Sequence, residues 1–246
     1  MTDVSSGSLR YENGNYPLIN LENVWKIYQM GEEEFAALKN IDLKIYKGEF
    51  VVVLGPSGSG KSTMMNLLGC LDMPSKGVIE LNGMDISKMD ESSLAEVRGK
   101  MIGFIFQQFN LIPTLNTLEN VMLPLEFQEI DADFAKKRAV ELLKIVGLSD
   151  KLYHSQSQLS GGQRQRVAIA RSLAVDPDII LADEPTGNLD SKTGGYILEF
   201  LDDLHRQGKT IIIVTHDMEL VNYAERVIHI KDGMIERIDN RKKEVK

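Results

Sequence analysis

The feature that most constrains this chain is a glycine-rich segment placed directly after a short apolar run. The run, Phe50 to Leu54, is continuously apolar and β-branched, which predicts a strand buried on both faces. The segment that follows is Gly55-Pro56-Ser57-Gly58-Ser59-Gly60-Lys61-Ser62. A helical pattern begins at Lys61. Backbone N–H groups in such a turn point inward at the positive end of the helix dipole, so the segment predicts a phosphate-binding loop.

Two side chains at the end of this loop have predicted roles. Lys61 is expected to reach the β- and γ-phosphates, and the Ser62 hydroxyl is expected to bind Mg²⁺. A chance glycine turn is the alternative. The strand before the loop and the helix after it are the context that the phosphate-binding pattern requires, and they favour the functional interpretation.

A second apolar run, Ile179 to Ala182, ends in two carboxylates, Asp183 and Glu184. An acid at the end of a parallel strand lies at the phosphate edge of a sheet. Asp183 is expected to hold Mg²⁺ through water, and Glu184 to orient and deprotonate an attacking water. Carboxylates also end strands for solubility alone, so the pair indicates chemistry only in combination with the phosphate loop.

The segment Leu159 to Gln163 predicts a second place where an anion can bind. Ser160 is expected at the N-terminus of a helix starting near Gln163, with the backbone N–H groups of Gly161 and Gly162 exposed there. One loop already cradles the phosphates, so a second helix start of this kind suggests a site completed by another molecule. A glycine linker before an ordinary helix is the alternative.

Composition limits the class of protein. The 246 residues fit one large domain, and the net charge of -8 has the wrong sign for holding nucleic acid through the overall field. The single cysteine, Cys70, excludes an internal disulfide. The apolar runs are too short to span a membrane, and no signal pattern is expected at the N-terminus.

Strands that alternate with helices predict an α/β fold with a mostly parallel central sheet covered on both faces. An antiparallel β layer is expected from Leu18 to Tyr46, and a helical insertion over about 107–165. Residues 1–17 are predicted to be a mobile tail, 18–240 a single domain and 241–246 a basic tail.

The ordered set of motifs resembles the ATP-binding subunits of ABC transporters, from about Leu18 to Ile238. Phe104 to Leu111 and Ala182 to Asp190 look like the branch that serves macrolide exporters and lipoprotein-release systems. The resemblance implies a P-loop NTPase fold and an ATPase whose cofactors are ATP and Mg²⁺. The residues that carry it are Gly55 to Ser62, Gln107, Leu159 to Gln163, Asp183, Glu184, Asp190 and His216.

The resemblance also implies roles within one nucleotide site. Tyr28 is expected to stack on the adenine, and Tyr28→Phe is expected to change little; a plain packing role is the alternative. Gln107 would contact Mg²⁺ and the attacking water, with Gln108 the less favoured candidate. His216 would contact the γ-phosphate, and Thr63 is included among the nucleotide-binding residues.

Other implied roles concern a second copy of the chain. Ser160, Gly162 and Gln163 would contact the γ-phosphate bound by the opposite subunit, and Asp190 matches a loop that communicates between subunits. The implied partners are therefore an ATP-dependent homodimer and an integral membrane permease, with no nucleic acid, at the cytoplasmic face of the cell membrane. The alternative is a soluble ATPase of the same superfamily, of the DNA-repair or iron-sulfur-assembly class.

A cluster of apolar residues after Gln107 gives one further expectation. The segment from Gln107 to about Leu125 is predicted to form part of a groove for a short cytoplasmic helix of the permease; its apolar residues include Phe109, Leu111, Ile112 and Leu115. Packing within the helical insertion is the alternative.

Overall fold

The computed structural model describes residues 16–241, which form two β-sheets and six α-helices. The strands are β1 (Pro17–Met30), β2 (Glu33–Tyr46), β3 (Phe50–Leu54), β4 (Lys76–Leu81), β5 (Met84–Asp85), β6 (Ile102–Ile105), β7 (Ile179–Asp183), β8 (Thr210–Thr215), β9 (Arg226–Lys231) and β10 (Met234–Asn240). The helices are α1 (Lys61–Leu68), α2 (Glu91–Met101), α3 (Thr117–Glu126), α4 (Ala132–Ile145), α5 (Gly161–Ser172) and α6 (Ser191–Arg206). Two short 3₁₀ turns lie at Gln156–Gln158 and Met218–Asn222.

The larger sheet has the order β10-β9-β3-β8-β7-β6, and its five strands from β9 to β6 are parallel. Leu54 lies opposite Thr215, Asp183 opposite Val214 and Ile105 opposite Ala182. Because this register aligns the strand ends, the carboxyl termini of β3, β8, β7 and β6 meet at one edge of the sheet.

Alternate residues of the parallel strands face two different cores. Val51 and Val53 of β3 face a cluster that includes β1, β2, β4 and α1. Phe50, Val52 and Leu54 face a cluster that includes α3, α4, α5 and α6. Burial on both faces explains why these strands are continuously apolar in sequence, and it holds their ends in fixed positions.

The smaller sheet has the order β2-β1-β4-β5 and is antiparallel. The predicted α/β fold, the mostly parallel sheet and the antiparallel N-terminal layer are confirmed. Strands β4, β5 and β10 and helices α2 and α3 were not predicted individually. Their apolar patterns are short, and helix α3 contains Pro124, which obscures a helical period in sequence.

Helices α3, α4 and most of the path to α5 lie between β6 and β7. Pro17 is the first residue of β1, whereas residues 1–15 and 242–246 of the predicted tails lie outside the described residues. Within residues 16–241, no helix combines the length and the apolar character needed to cross a membrane.

Candidate functional site

Four loops that carry predicted site residues leave the same edge of the parallel sheet. The phosphate loop follows β3, His216 follows β8, Asp183 ends β7 with Glu184 next to it, and Gln107 follows β6. These strands are neighbours in the sheet although their loops are far apart in sequence. The topology therefore brings together all four groups that the sequence assigned to one nucleotide site.

The phosphate loop has a backbone path that only glycine fits at two places. Gly60 has a φ of 102°, and a Cβ added to it would lie 2.7 Å from the carbonyl oxygen of Ala37. A Cβ on Gly55 would lie 2.3 Å from the carbonyl oxygen of Ile230. In the described part of the chain no side chain caps the start of α1, so its first N–H groups remain available to an anion.

Lys61 folds back across this loop. Its Nζ donates hydrogen bonds to the carbonyl oxygens of Gly55 and Pro56, at 2.7 and 2.9 Å. Ser62 and Thr63 follow in the first turn of α1, where Ser62 is exposed and Thr63 half-buried. The ammonium group thus lies over the place where the loop would hold phosphates.

Asp183 is half-buried at the end of β7. Burial raises the pKa of its carboxyl above the ordinary value, the charge of Glu184 raises it further, and the charge of Lys61 opposes both effects. A cation beside Asp183 would stabilise the ionised form of this carboxyl.

The donor set fits Mg²⁺. The carboxylate of Asp183 and the hydroxyl of Ser62 are hard oxygen ligands, and Mg²⁺ is commonly held by one or two carboxylates together with substrate phosphates. Residues 16–241 contain no group of three or more His, Cys, Asp or Glu side chains that would form a metal cage by themselves. A magnesium ion here would thus depend on the nucleotide for part of its coordination.

The Glu184 carboxylate is held by two groups at the end of β8. The Thr215 hydroxyl donates to Oε2 at 2.7 Å, and the backbone N–H of His216 donates to Oε1 at 3.0 Å. The Nδ1 atom of His216 lies 2.5 Å from the same Oε1. Glu184 also has a φ of 43°, in the left-handed region that costs a non-glycine residue free energy and is common at functional sites.

His216 is the exposed partner in this pair. Its side chain is 74% exposed, whereas that of Glu184 is 14% exposed. An exposed imidazole beside a held carboxylate can contact a ligand that enters from solvent. Thr215 was not predicted, because a threonine at the end of an apolar strand carries no motif.

Gln107 lies beside the loop that follows Glu184. Its carbonyl oxygen accepts a hydrogen bond from Asn188 Nδ2 at 2.9 Å, and its Nε2 lies 3.0 Å from where a Cβ on Gly187 would be. Gln108 is exposed, whereas Gln107 is half-buried. This placement favours Gln107 over Gln108 as the residue that faces the site.

Tyr28 lies in β1, close to the start of α1. Burial raises the pKa of its phenol, the neighbouring Thr63 of α1 lowers it, and Asp72 raises it. Its hydroxyl donates to Asp72 Oδ2 at 3.0 Å. Tyr28 is therefore held against the helix that carries the phosphate loop. Asp72 was not predicted, because it belongs to a loop with no recognisable motif.

The second predicted anion site is the start of α5. Ser160 is its N-cap, as predicted: the Gln163 N–H donates to Ser160 Oγ at 3.2 Å, and the Ser160 N–H donates to Gln163 Oε1 at 2.8 Å. A Cβ on Gly162 would lie 2.6 Å from Thr193 Cγ2. The contact of Gly162 with Thr193 joins the starts of α5 and α6.

Asp190 caps α6 next to this point. It accepts hydrogen bonds from the Thr193 hydroxyl and backbone N–H at 2.7 and 3.0 Å, and these bonds lower the pKa of its carboxyl.

One further contact links α5 to the site. The buried Gln165 donates from Nε2 to the carbonyl oxygen of Pro185 at 2.8 Å, directly after Glu184. Gln165 was not predicted either.

An apolar groove of about 980 Å³ opens elsewhere on the surface, between β6 and α3. The expectation for Phe109 and Leu111 was wrong, because both are buried in the core cluster. The aromatic and aliphatic residues that line the groove include Leu71, Phe104, Phe106, Leu123 and Phe127. Leu123 belongs to the segment predicted to form part of a groove, whereas sequence reasoning missed the other four because they come from separate elements.

Three comparisons with known proteins bear on this site. Residues 38–187 match the family model described as ABC transporter. An uncharacterized ABC transporter ATP-binding protein of Thermotoga maritima is 52% identical over 224 residues, which cover 91% of this chain and 96% of that protein. The macrolide export ATP-binding/permease protein MacB of Chlorobaculum tepidum is 48% identical over 227 residues, which cover 92% of this chain and 34% of that longer protein.

Solved structures give the same picture. The ATP-binding cassette MJ0796, which is a protein of Methanocaldococcus jannaschii, has been solved as a dimer in a post-hydrolysis state bound to ADP and Pi. It superposes on this chain with a TM-score of 0.85 at 50% identity, over 90% of this chain and 98% of that one. At this identity the likeness extends beyond the fold.

Proposed function

The chain belongs to the ABC transporter family as an ATP-binding subunit that hydrolyses ATP to ADP and phosphate, and from this premise we propose which of its residues bind the nucleotide and which act in its hydrolysis. One nucleotide is held by the phosphate loop of one copy and closed by the start of α5 of a second copy. The single observation that carries this proposal is where the two groups lie within one chain. Glu184 lies at the sheet edge that carries the phosphate loop, whereas the contacts of Ser160 and Gly162 among the described residues are with Gln163 and Thr193, not with the phosphate loop.

The phosphates are bound by Gly55, Pro56, Ser57, Gly58, Ser59 and Gly60 through the loop backbone, and by Lys61. Lys61 exchanges its two carbonyl partners for the β- and γ-phosphates. Ser62, Asp183 and Gln107 would hold Mg²⁺, and Thr63 would bind the nucleotide beside Ser62. When bound, Mg²⁺ neutralises the charge that develops on the phosphates.

Glu184 takes the proton of the attacking water. Thr215 and the His216 N–H keep its carboxylate oriented, so that little reorganisation is needed when the water is bound. His216 turns from Glu184 towards the γ-phosphate, and Gln107 orients the water from the other side. A γ-phosphate contact matters most as charge moves in the transition state.

The second copy completes the site. Ser160, Gly162 and Gln163 of the partner subunit would contact the γ-phosphate at a helix N-terminus, and Asp190 would carry the signal between subunits. The dimer of MJ0796 supports this arrangement, since the sequence of that protein is 50% identical to this chain. The γ-phosphate, or the phosphate that it becomes after hydrolysis, is the group that reaches the partner subunit, so ADP alone should not hold the two copies together.

The permease is a separate membrane protein that this subunit joins from the cytoplasmic side. The MacB relative, whose name combines ATP-binding with permease, supports a transport role. The groove lined by Phe104, Phe106 and Phe127 offers a surface for a short permease helix, because it is apolar and open.

The dimer is tested with Glu184→Gln. This variant should lose the base yet keep nucleotide binding, so that it elutes as a dimer in Mg²⁺-ATP and as a monomer in Mg²⁺-ADP. The matched control is Glu199→Gln, an exposed residue of α6, which should hydrolyse ATP and return to monomers. If Glu184→Gln binds ATP calorimetrically but remains monomeric at every protein concentration, the proposed dimer is wrong.

A further inference from the structure

The phenol of Tyr28 is anchored by a carboxylate outside every motif of the sequence. Its hydroxyl donates to Asp72 Oδ2 at 3.0 Å, and the other oxygen of Asp72 accepts from Lys26 Nζ at 2.5 Å. Lys26 also donates to the carbonyl oxygen of Met73 at 2.9 Å. The side chains of Lys26 and Asp72 are only 12% and 28% exposed, so water competes weakly for these bonds.

The loop that carries Asp72 is itself fixed to β1. The Ser75 N–H donates to the carbonyl oxygen of Trp25 at 2.7 Å, and the Ile27 N–H donates to Ser75 Oγ at 2.9 Å. This loop connects α1 to β4. Because both ends of the Tyr28–Asp72 bond belong to elements tied to each other, Asp72 is a stationary acceptor.

The same cluster decides which face of the Tyr28 ring is available. Lys26 Nζ lies 5.0 Å from the ring centroid and covers one face. The hydroxyl edge is bound to Asp72, with Thr63 beside it. A base that stacks on Tyr28 therefore uses the opposite face of the ring, whose direction is set before the nucleotide arrives.

We propose that Asp72, held by Lys26, is a positioning residue that orients the ring of Tyr28 for stacking on the nucleotide base. The proposal rests on the base-stacking role of Tyr28. A ring that is already oriented loses less conformational freedom on binding, which strengthens the complex without any new contact to the ligand. Asp72 contacts neither base nor phosphate and acts through Tyr28 alone.

This mechanism changes the expectation for the hydroxyl of Tyr28. Stacking alone needs only the ring, and so implies that Tyr28→Phe changes little. The anchor implies that Tyr28→Phe and Asp72→Ala have the same effect, because each removes the same hydrogen bond. For the same reason their effects should not add in the double variant.

The test compares two ligands in the presence of Mg²⁺: ADP, which carries the base, and pyrophosphate, which does not. We expect Tyr28→Phe and Asp72→Ala each to weaken ADP binding by about threefold to tenfold in calorimetry, and the double variant by no more than the stronger single variant. Pyrophosphate affinity should be unchanged in all three. The matched controls are Tyr153→Phe and Asp150→Asn, at exposed positions, which should bind both ligands as wild type does.

Each opposing outcome identifies what has failed. If Tyr28→Ala leaves ADP binding intact, the stacking role itself is wrong. If Tyr28→Ala weakens ADP binding but Tyr28→Phe and Asp72→Ala do not, the stacking role stands and the positioning role of Asp72 is overturned. Equal losses of ADP and pyrophosphate in Asp72→Ala would also overturn it, since Asp72 would then act on the phosphate loop. Should Asp72→Ala not fold, Tyr28→Phe, which removes one oxygen atom, decides alone.

Discussion

At the scale of single residues, Asp183 and Glu184 place two negative charges side by side at the end of one strand. Thr215 and His216 donate hydrogen bonds to Glu184, whereas the pKa of Asp183 is raised, by burial first and by the charge of Glu184 second. The ionised form of Asp183 therefore costs the folded, ligand-free protein free energy. A cation bound beside Asp183 would offset this cost by stabilising its ionised form.

The residue-scale prediction follows from the direction in which the pKa of Asp183 is shifted. A carboxyl whose pKa is higher in the folded than in the unfolded state destabilises the protein at pH values above the folded pKa, and has no such effect below the unfolded pKa. Asp183→Asn should thus raise the stability of the ligand-free protein at pH 7.5, and the gain should shrink as the pH falls towards 4.5. Urea unfolding of the variant and of wild type at several pH values measures this difference in the free energy of unfolding.

The control for this prediction is Asp150→Asn. Lys151 lowers the pKa of the exposed Asp150, so its replacement should give no gain in stability at any pH. In parallel, Asp183→Asn should weaken Mg²⁺-dependent nucleotide binding. A variant that is less stable than wild type at pH 7.5 would contradict the burial argument.

At the scale of elements, helix α1 owes its position to the glycine before it. Gly60 is its N-cap, with a φ of 102° that side chains rarely tolerate. The start of α1 also packs close to the strand that carries Ala37, which leaves no space for a Cβ. The backbone of Gly60 therefore sets the direction in which the chain enters α1, and the helix dipole points at the loop.

The element-scale prediction uses this glycine. Gly60→Ala adds a Cβ 2.7 Å from the Ala37 carbonyl oxygen and strains φ, so it should destabilise the protein by more than about 1 kcal/mol and lower nucleotide affinity. Gly195→Ala, inside α6 with no atom within 4 Å of the new Cβ, should instead stabilise it by about 1 kcal/mol. Thermal unfolding of both variants measures the contrast, and equal shifts would contradict the prediction.

At the scale of the whole molecule, the groove between β6 and α3 lies next to the segment that carries Gln107. Phe104 lies in β6, and the loop that carries Gln107 begins two residues later, at Phe106. Phe127 follows α3, and 80% of its surface is exposed. A partner seated in this groove would contact the strand that leads directly into Gln107. If the proposed permease helix binds in this groove, it would therefore contact the strand whose end carries the nucleotide-site glutamine.

The whole-molecule prediction concerns what binds in that groove. A photo-crosslinking residue at Phe127 should form adducts with an integral membrane protein in detergent-solubilised membranes, and the yield should change when ADP replaces ATP. The same probe at Tyr153, which is 70% exposed but lies outside the groove, should not. Adducts formed only with soluble proteins would favour the soluble class of ATPase.

The amino-acid sequence by itself determined the local units of this protein. The phosphate loop, the carboxylates that end β7 and the N-cap Ser160 each depend on a few consecutive residues, and such patterns are set by backbone sterics and hydrogen bonding within one turn. Strands buried on both faces could be predicted for the same reason, since their apolar runs are continuous.

Only the tertiary structure decided which of these units meet. The order β9-β3-β8-β7-β6 places His216 on Glu184, although 32 positions separate them, because strand neighbours are chosen by packing between two cores rather than by sequence distance. The Tyr28–Asp72 bond and the aromatic groove arise in the same way, from elements distant in the chain. Such contacts carry no local pattern, so the physical reason that they escape sequence reasoning is that each depends on the whole fold being in place.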